Sequence, residues 1–101
     1  MKPEQILNVI EKYRDYFFAT GIKAIDYSHD RIVDNPTRAL EHCYGMLDQM
    51  VEFVRQGKLE KVFRWLGFLQ GVLWSNGIYT LAALKDHNQS KKMNTRKAIC
   101  R

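Results

Sequence analysis

The segment from Lys58 to Thr80, KLEKVFRWLGFLQGVLWSNGIYT, limits what this chain can fold into more than any other. Set at about 100° per residue, Leu59, Val62, Phe63, Leu66, Leu69 and Leu73 share one face. Trp74 and Gly67 widen that face on one flank, and Trp65 and Val72 widen it on the other. Glu60, Lys61, Arg64 and Ser75 leave only a narrow polar strip. A helix apolar around most of its circumference is covered by neighbours on several sides. The spacing therefore predicts a central helix running to Gly77, a sharp exit, and the start of another helix.

Two features of this segment ask for more than core packing. Gly67 and Gly71 lie one turn apart, and each costs about 1 kcal/mol against alanine inside a helix. Close approach of another helix backbone or of a flat ligand would offset that cost. Gln70 falls within the apolar face, where an unbonded amide destabilises by roughly 1–3 kcal/mol. A facing residue, its own mate across a symmetric dimer, or a bound polar molecule would each satisfy it.

The rest of the chain reads as helices that enclose this one. Pro3 opens a first helix in which Ile6, Val9, Ile10, Tyr13 and Phe17 recur at three- and four-residue spacing, ending near Thr20-Gly21. Residues 22–35, IKAIDYSHDRIVDN, have no period and read as a long connection with room for one short helix or strand. Long connections in compact domains are often functional. Asn35-Pro36 supplies an N-cap and a first-turn proline. The helix behind it carries a seam of Leu40, Cys43, Leu47, Met50 and Val54 and closes at Gly57. Only Gln56-Gly57 separates it from the central helix, so the two form an antiparallel hairpin. Thr80 caps a short last helix that ends at His87-Asn88. The expected fold is all-α: a hairpin of helices two and three packed with an N-terminal and a short C-terminal helix, one domain over 1–88 and a basic tail over 89–101. Twelve aromatics in 101 residues point to a core completed by a partner subunit, a dimer first.

Charge and cysteine usage narrow the function classes. The net charge of +5 is carried by residues 85–101, where six basic residues face Asp86 alone; residues 1–84 are neutral. Such a tail is either a solvated end or sequence-independent glue for phosphates and acidic surfaces. Cys43 and Cys100 form no CxxC pair, which fits a reducing cytoplasm without a disulfide framework. With no signal-peptide pattern and no apolar run near the ~20 residues of a spanning helix, the expectation is a cytoplasmic protein with no membrane partner.

No catalytic constellation stands out. Ser28-His29-Asp30 are adjacent and cannot face one another as a triad does. A metal phosphohydrolase site needs more histidines and aspartates than His42 and His87 add. There is no glycine-rich phosphate loop and no recurring metal-ligand spacing. His42 reads as a half-buried structural histidine, and Cys43 beside it points about 100° away. The expectation is a protein that is not an enzyme, with no metal site and no cofactor.

The combination Asn35-Pro36, Ala39-Leu40-Glu41-His42-Cys43, Met46-Leu47, Arg64-Trp65-Leu66-Gly67-Phe68, Gln70-Gly71-Val72-Leu73-Trp74, Gly77-Ile78-Tyr79-Thr80, Leu84 and His87-Asn88 resembles a family of small tailed-phage accessory proteins. The resemblance spans roughly residues 35–88, with weaker similarity over the first helix. Family members often place a proline after His-Asn; here Gln89 stands there, so the tail departs from the pattern. The resemblance implies an accessory protein made in a bacterial host, and brings no reaction or named functional residues with it.

By analogy, such proteins act by binding. The first function expected is counter-defence: sequestering a nucleotide-derived immune signal, or blocking a host protein. A nucleotide pocket needs aromatic faces, cations for phosphate, and amides or hydroxyls for the sugar. Arg64, Trp65, Gln70, Trp74, Asn76, Tyr79, Thr80, Lys85, His87 and Asn88 offer these groups and are expected at one end of the hairpin, with His42 and Gln49 able to join them. The plainer account makes the rings core and Thr80 a cap. The alternative function is nucleic-acid binding through the basic tail, which the neutral body does not support.

Overall fold

A computed structural model describes residues 1–89 as four helices: α1 (Pro3–Ala19), α2 (Pro36–Arg55), α3 (Leu59–Ser75) and α4 (Leu81–Asn88). No strand occurs among the described residues. The basic tail expected over 89–101 lies, from residue 90 onward, outside them. No described helix is long and apolar enough to cross a membrane.

Local chemistry sets the boundaries. The Asn35 side chain accepts from the Thr37 N–H at 2.8 Å, and Pro36 takes the first helical position. Thr80 Oγ1 accepts from the Ala83 N–H at 3.0 Å. Gly21, Gly57 and Gly77 all take positive φ, at 76°, 75° and 71°, and end α1, α2 and α3 with left-handed turns that cost a side chain strain. The third helix stops at Ser75, two residues before the glycine expected to end it. Asn76 is its C-cap, and the Ile78 N–H turns back to the Leu73 carbonyl. The connection over 22–35 holds neither the short helix nor the strand that its composition left room for.

The antiparallel hairpin of α2 and α3 is the frame. α2 packs on α3 and on α1, and α4 closes one end against α1. The core joins Ile6, Ile10, Tyr13 and Phe17 of α1 to Cys43, Leu47 and Met50 of α2 and Val62, Leu69 and Leu73 of α3, all fully buried, with Leu84 sealing the α4 side. Arg14 reaches across from α1 to the Asp48 carboxylate at 2.7 Å. Cys43 is fully buried, which pushes its thiol up to about 12, and it packs as a small apolar group.

This arrangement covers only part of α3. Val62, Leu66, Leu69, Gln70 and Leu73 are buried, but Phe63, expected among them, is 40% exposed. Trp74 is 51% exposed on one flank and Phe68 is 55% exposed on the other. The two uncovered flanks border the cavities described next.

Candidate functional site

The connection is fastened to α2 by a mid-helix glycine. A Cβ on Gly45 would sit 2.8 Å from the Ile25 carbonyl oxygen and 3.0 Å from its carbon, both backbone atoms. The missing side chain lets the connection lie directly on the helix. From there the Ile25 N–H donates to the Glu41 carbonyl at 3.2 Å, and the Tyr27 N–H donates to His42 Nδ1 at 3.2 Å. The Tyr27 hydroxyl donates to the Glu41 carboxylate at 2.6 Å, a bond that raises the phenol's pKa. Ser28 Oγ donates in turn to the Asp30 carboxylate.

Beyond this seam the connection stands off from α3 and encloses an open cavity of about 420 Å³. Tyr27, Ser28, His29, Arg31 and Val33 form its outer wall. His42 and Met46 of α2 and Arg64, Trp65 and Phe68 of α3 form the inner one. Trp65 is held edge-on against Phe53, with ring centroids 4.9 Å apart at 89°, and Lys61 Nζ lies 4.4 Å over the Phe53 ring. The indole is thus braced on its α2 side. Among the described residues the Arg64 guanidinium pairs with the exposed Glu60, at 3.8 Å, a pair too solvated to hold it in place.

A second, separate polar centre lies between α1, α3 and α4. Gln70 Nε2 donates to the Tyr13 hydroxyl at 3.0 Å and to Asn88 Oδ1 at 2.8 Å, while Asn88 Nδ2 returns a bond to Gln70 Oε1 at 3.0 Å. The Tyr13 hydroxyl lies 2.7 Å from His87 Nδ1. Because that oxygen already accepts from Gln70, it is placed to donate its proton to the imidazole, which fixes the neutral tautomer with Nε2–H. Tyr79 packs edge-on to His87, centroids 4.8 Å apart, and tilted on Tyr13 at 5.8 Å. Burial, followed by repulsion from Lys12, lowers His87 to about 4, and burial raises Tyr13 to about 12. Of the partners open to Gln70, facing residues of its own chain satisfy it.

The other uncovered flank of α3 is an apolar groove. Gly67, Gly71 and Trp74 of α3 and Leu81, Leu84 and Lys85 of α4 line it, with Gln70 and Asn88 at its floor. A Cβ at Gly67 or Gly71 would meet nothing within 4 Å, so no neighbour among the described residues offsets their helical cost.

The ten residues expected at one end of the hairpin thus fall in four places. Arg64 and Trp65 face the cavity under the connection. Trp74 and Lys85 border the glycine groove. Gln70, Tyr79, His87 and Asn88 build or pack on the buried network. Asn76 Nδ2 donates to the Val72 carbonyl at 2.9 Å, and Thr80 is a cap. Gln49, suggested as a further contributor, is exposed on α2 and borders none of these places. The sequence reading missed Tyr27, Arg31 and Phe68 as walls of one cavity, and it missed the meeting of Asp26, His29 and His42, whose donor atoms lie within 4.8 Å of one another. Gly45 was the available signal: a glycine inside a helix permits a close backbone approach, which among the described residues is realised at Gly45 and not at Gly67 or Gly71.

No protein-family model, curated protein or solved structure matches this chain.

Proposed function

We propose that this chain is a non-catalytic, phage-type accessory binding protein of the bacterial host cytoplasm that captures a small nucleotide-derived signal in the cavity under the 22–35 connection. The observation that carries this reading is the cavity wall. Two guanidiniums, Arg31 and Arg64, share it with the rings of Tyr27, Trp65 and Phe68. Cations answer phosphate, and aromatic faces answer a base. About 420 Å³ lies within the range of small-molecule sites. The counter-defence setting comes from the resemblance of residues 35–88. The same reading includes a homodimer in which a second copy covers the Gly67/Gly71 groove, since open glycines beside exposed Trp74 and Leu81 allow two helix backbones to approach closely.

Heat-released contents of protein purified from infected cells, read by mass spectrometry, test the capture directly. The purified chain should also show a thermal shift with at least one member of a cyclic-nucleotide panel. Arg64→Ala and Trp65→Leu should each weaken that binding about tenfold or more, the size of one charge-assisted contact or one stacked ring. Absence of both released nucleotide and thermal shift removes this reading and leaves obstruction of a host protein. Binding to nucleic acid that falls steeply with salt and is lost on deleting residues 89–101 would favour the tail instead.

A further inference from the structure

We propose that Asp26, His29 and His42 form a binding site for a divalent transition metal of the zinc class, with its remaining coordination positions open to the cavity. The side chains come from two elements held together for a visible reason. His42 is on α2 and partly buried, whereas Asp26 and His29 are exposed on the connection. The connection reaches α2 only because Gly45 has no side chain, and the backbone bond from Ile25 to Glu41 sets Asp26 one residue beyond that contact. Asp26 Oδ1 stands 3.9 Å from His42 Nδ1. The His29 ring stands edge-on to the His42 ring, centroids 6.0 Å apart at 86°.

Two imidazoles and one carboxylate are a borderline donor set. They select zinc, cobalt, nickel or copper over magnesium and calcium, which take oxygen ligands. Metal–ligand bonds of about 2.0–2.2 Å in a tetrahedron put donor atoms roughly 3.4 Å apart. The present separations are at most 4.8 Å, and the two exposed side chains would have to draw the donors in by about 1.4 Å or less to reach that value. Binding has one local cost. His42 Nδ1 accepts from the Tyr27 N–H at 3.2 Å, and a metal at that nitrogen displaces this long hydrogen bond. Three protein ligands leave a fourth position facing the cavity, in reach of a water or of an anionic group brought in by a bound molecule. The site stands whether or not the cavity takes a nucleotide, because its ligands come from the chain alone.

The test uses the full chain, stripped with a chelator and titrated with Co²⁺ and then with Zn²⁺ against a chromophoric chelator. One equivalent of Zn²⁺ should bind saturably, raise the melting temperature, and displace Co²⁺ with loss of its visible absorption. Asp26→Asn and His29→Gln change exposed side chains that no core contact requires, so both fold. Each should weaken Zn²⁺ binding by more than the roughly 10–100-fold that loss of a supporting partner causes at established sites. His42→Gln should do the same. Cys100→Ser and His87→Gln should leave binding unchanged. Failure of the wild-type chain to bind either metal overturns the site, as does binding that survives in the Asp26→Asn/His29→Gln double variant or vanishes in Cys100→Ser.

Discussion

The buried Tyr13–His87–Gln70–Asn88 network makes stability depend on pH through one histidine. His87 is neutral when folded and is held to about 4, against 6.5 for a free imidazole. Protonation would set a second donor against a Tyr13 hydroxyl that already accepts from Gln70 Nε2, in a half-buried place near Lys12. Between pH 6.5 and about 4 the unfolded chain binds a proton at this ring that the folded chain refuses. Stability from this group is therefore complete above pH 6.5, falls as pH drops through the window, and is lost below about 4. The full shift corresponds to about 3.4 kcal/mol at about 1.36 kcal/mol per tenfold. His87 is only half-buried, and solvent screening reduces this to about 1–2 kcal/mol. Urea unfolding of the wild-type chain and of His87→Gln, compared from about pH 7.5 to pH 4.5, isolates the term. Glutamine keeps an acceptor for Tyr13 but does not titrate, and every other titrating group is common to both chains. The wild type should lose about 1–2 kcal/mol more than the variant on acidification, worth about 5–15 °C in melting temperature for a domain of this size. Parallel pH profiles, or a His87 ring titrating near 6.5 by NMR, would refute the network.

Three further outcomes follow from the same geometry. Gln70→Leu strips partners from Asn88 and the buried Tyr13 hydroxyl and should cost about 1–3 kcal/mol in urea unfolding, whereas loss of an exposed glutamine would cost almost nothing. Gly45→Ala drives a Cβ into the Ile25 backbone and should detach the connection, seen as rapid amide exchange at Ile25 and Tyr27 with the core protection of α2 retained. Gly71→Ala meets open space among the described residues, so it should raise monomer stability by about 0.5–1 kcal/mol in dilute melts while weakening the proposed self-association about tenfold in sedimentation. A lower melting temperature in dilute solution would show that the flank is covered within the monomer.

The fold was legible in the sequence because its signals are local. Asn35-Pro36 and Thr80 cap the helices they were expected to cap, and the tight Gln56-Gly57 link forces the hairpin. The seam of Leu40, Cys43, Leu47, Met50 and Val54 places α2 from period alone. The site was less legible because it depends on how elements meet. Periodicity put Gln70 on the buried face but could not say that Tyr13, 57 residues away, and Asn88 would satisfy it. Arg64, Trp65, Trp74 and Lys85 were expected together at a hairpin end, although the helical wheel already sets Trp65 and Trp74 on opposite flanks of α3, where they face different cavities. The connection has no period, so its register against α2 comes from the hole left by Gly45 and from the bonds of Ile25 and Tyr27 to Glu41 and His42.

The two uncovered flanks of α3 differ in chemistry, and one pair of substitutions separates them. On the Trp65 flank, the polar stretch Ser28–Arg31 stands opposite Met46 and Phe68; charged and hydroxyl side chains do not fill apolar space, so the walls part and leave a cavity lined with both kinds of group. On the Trp74 flank no loop among the described residues stands opposite, Lys85, Gln70 and Asn88 are the polar groups on the groove, and the glycines expose bare helix backbone beside Leu81 and Trp74. The first suits a small molecule with a charged end and a flat one; the second suits another helix. Gly45→Ala should therefore abolish small-molecule and Zn²⁺ binding while leaving the molar mass in solution unchanged. Gly71→Ala should shift the molar mass and leave both kinds of binding intact. If one substitution removed both properties, the flanks would be parts of a single interface, and their division into a ligand wall and a subunit wall would be wrong.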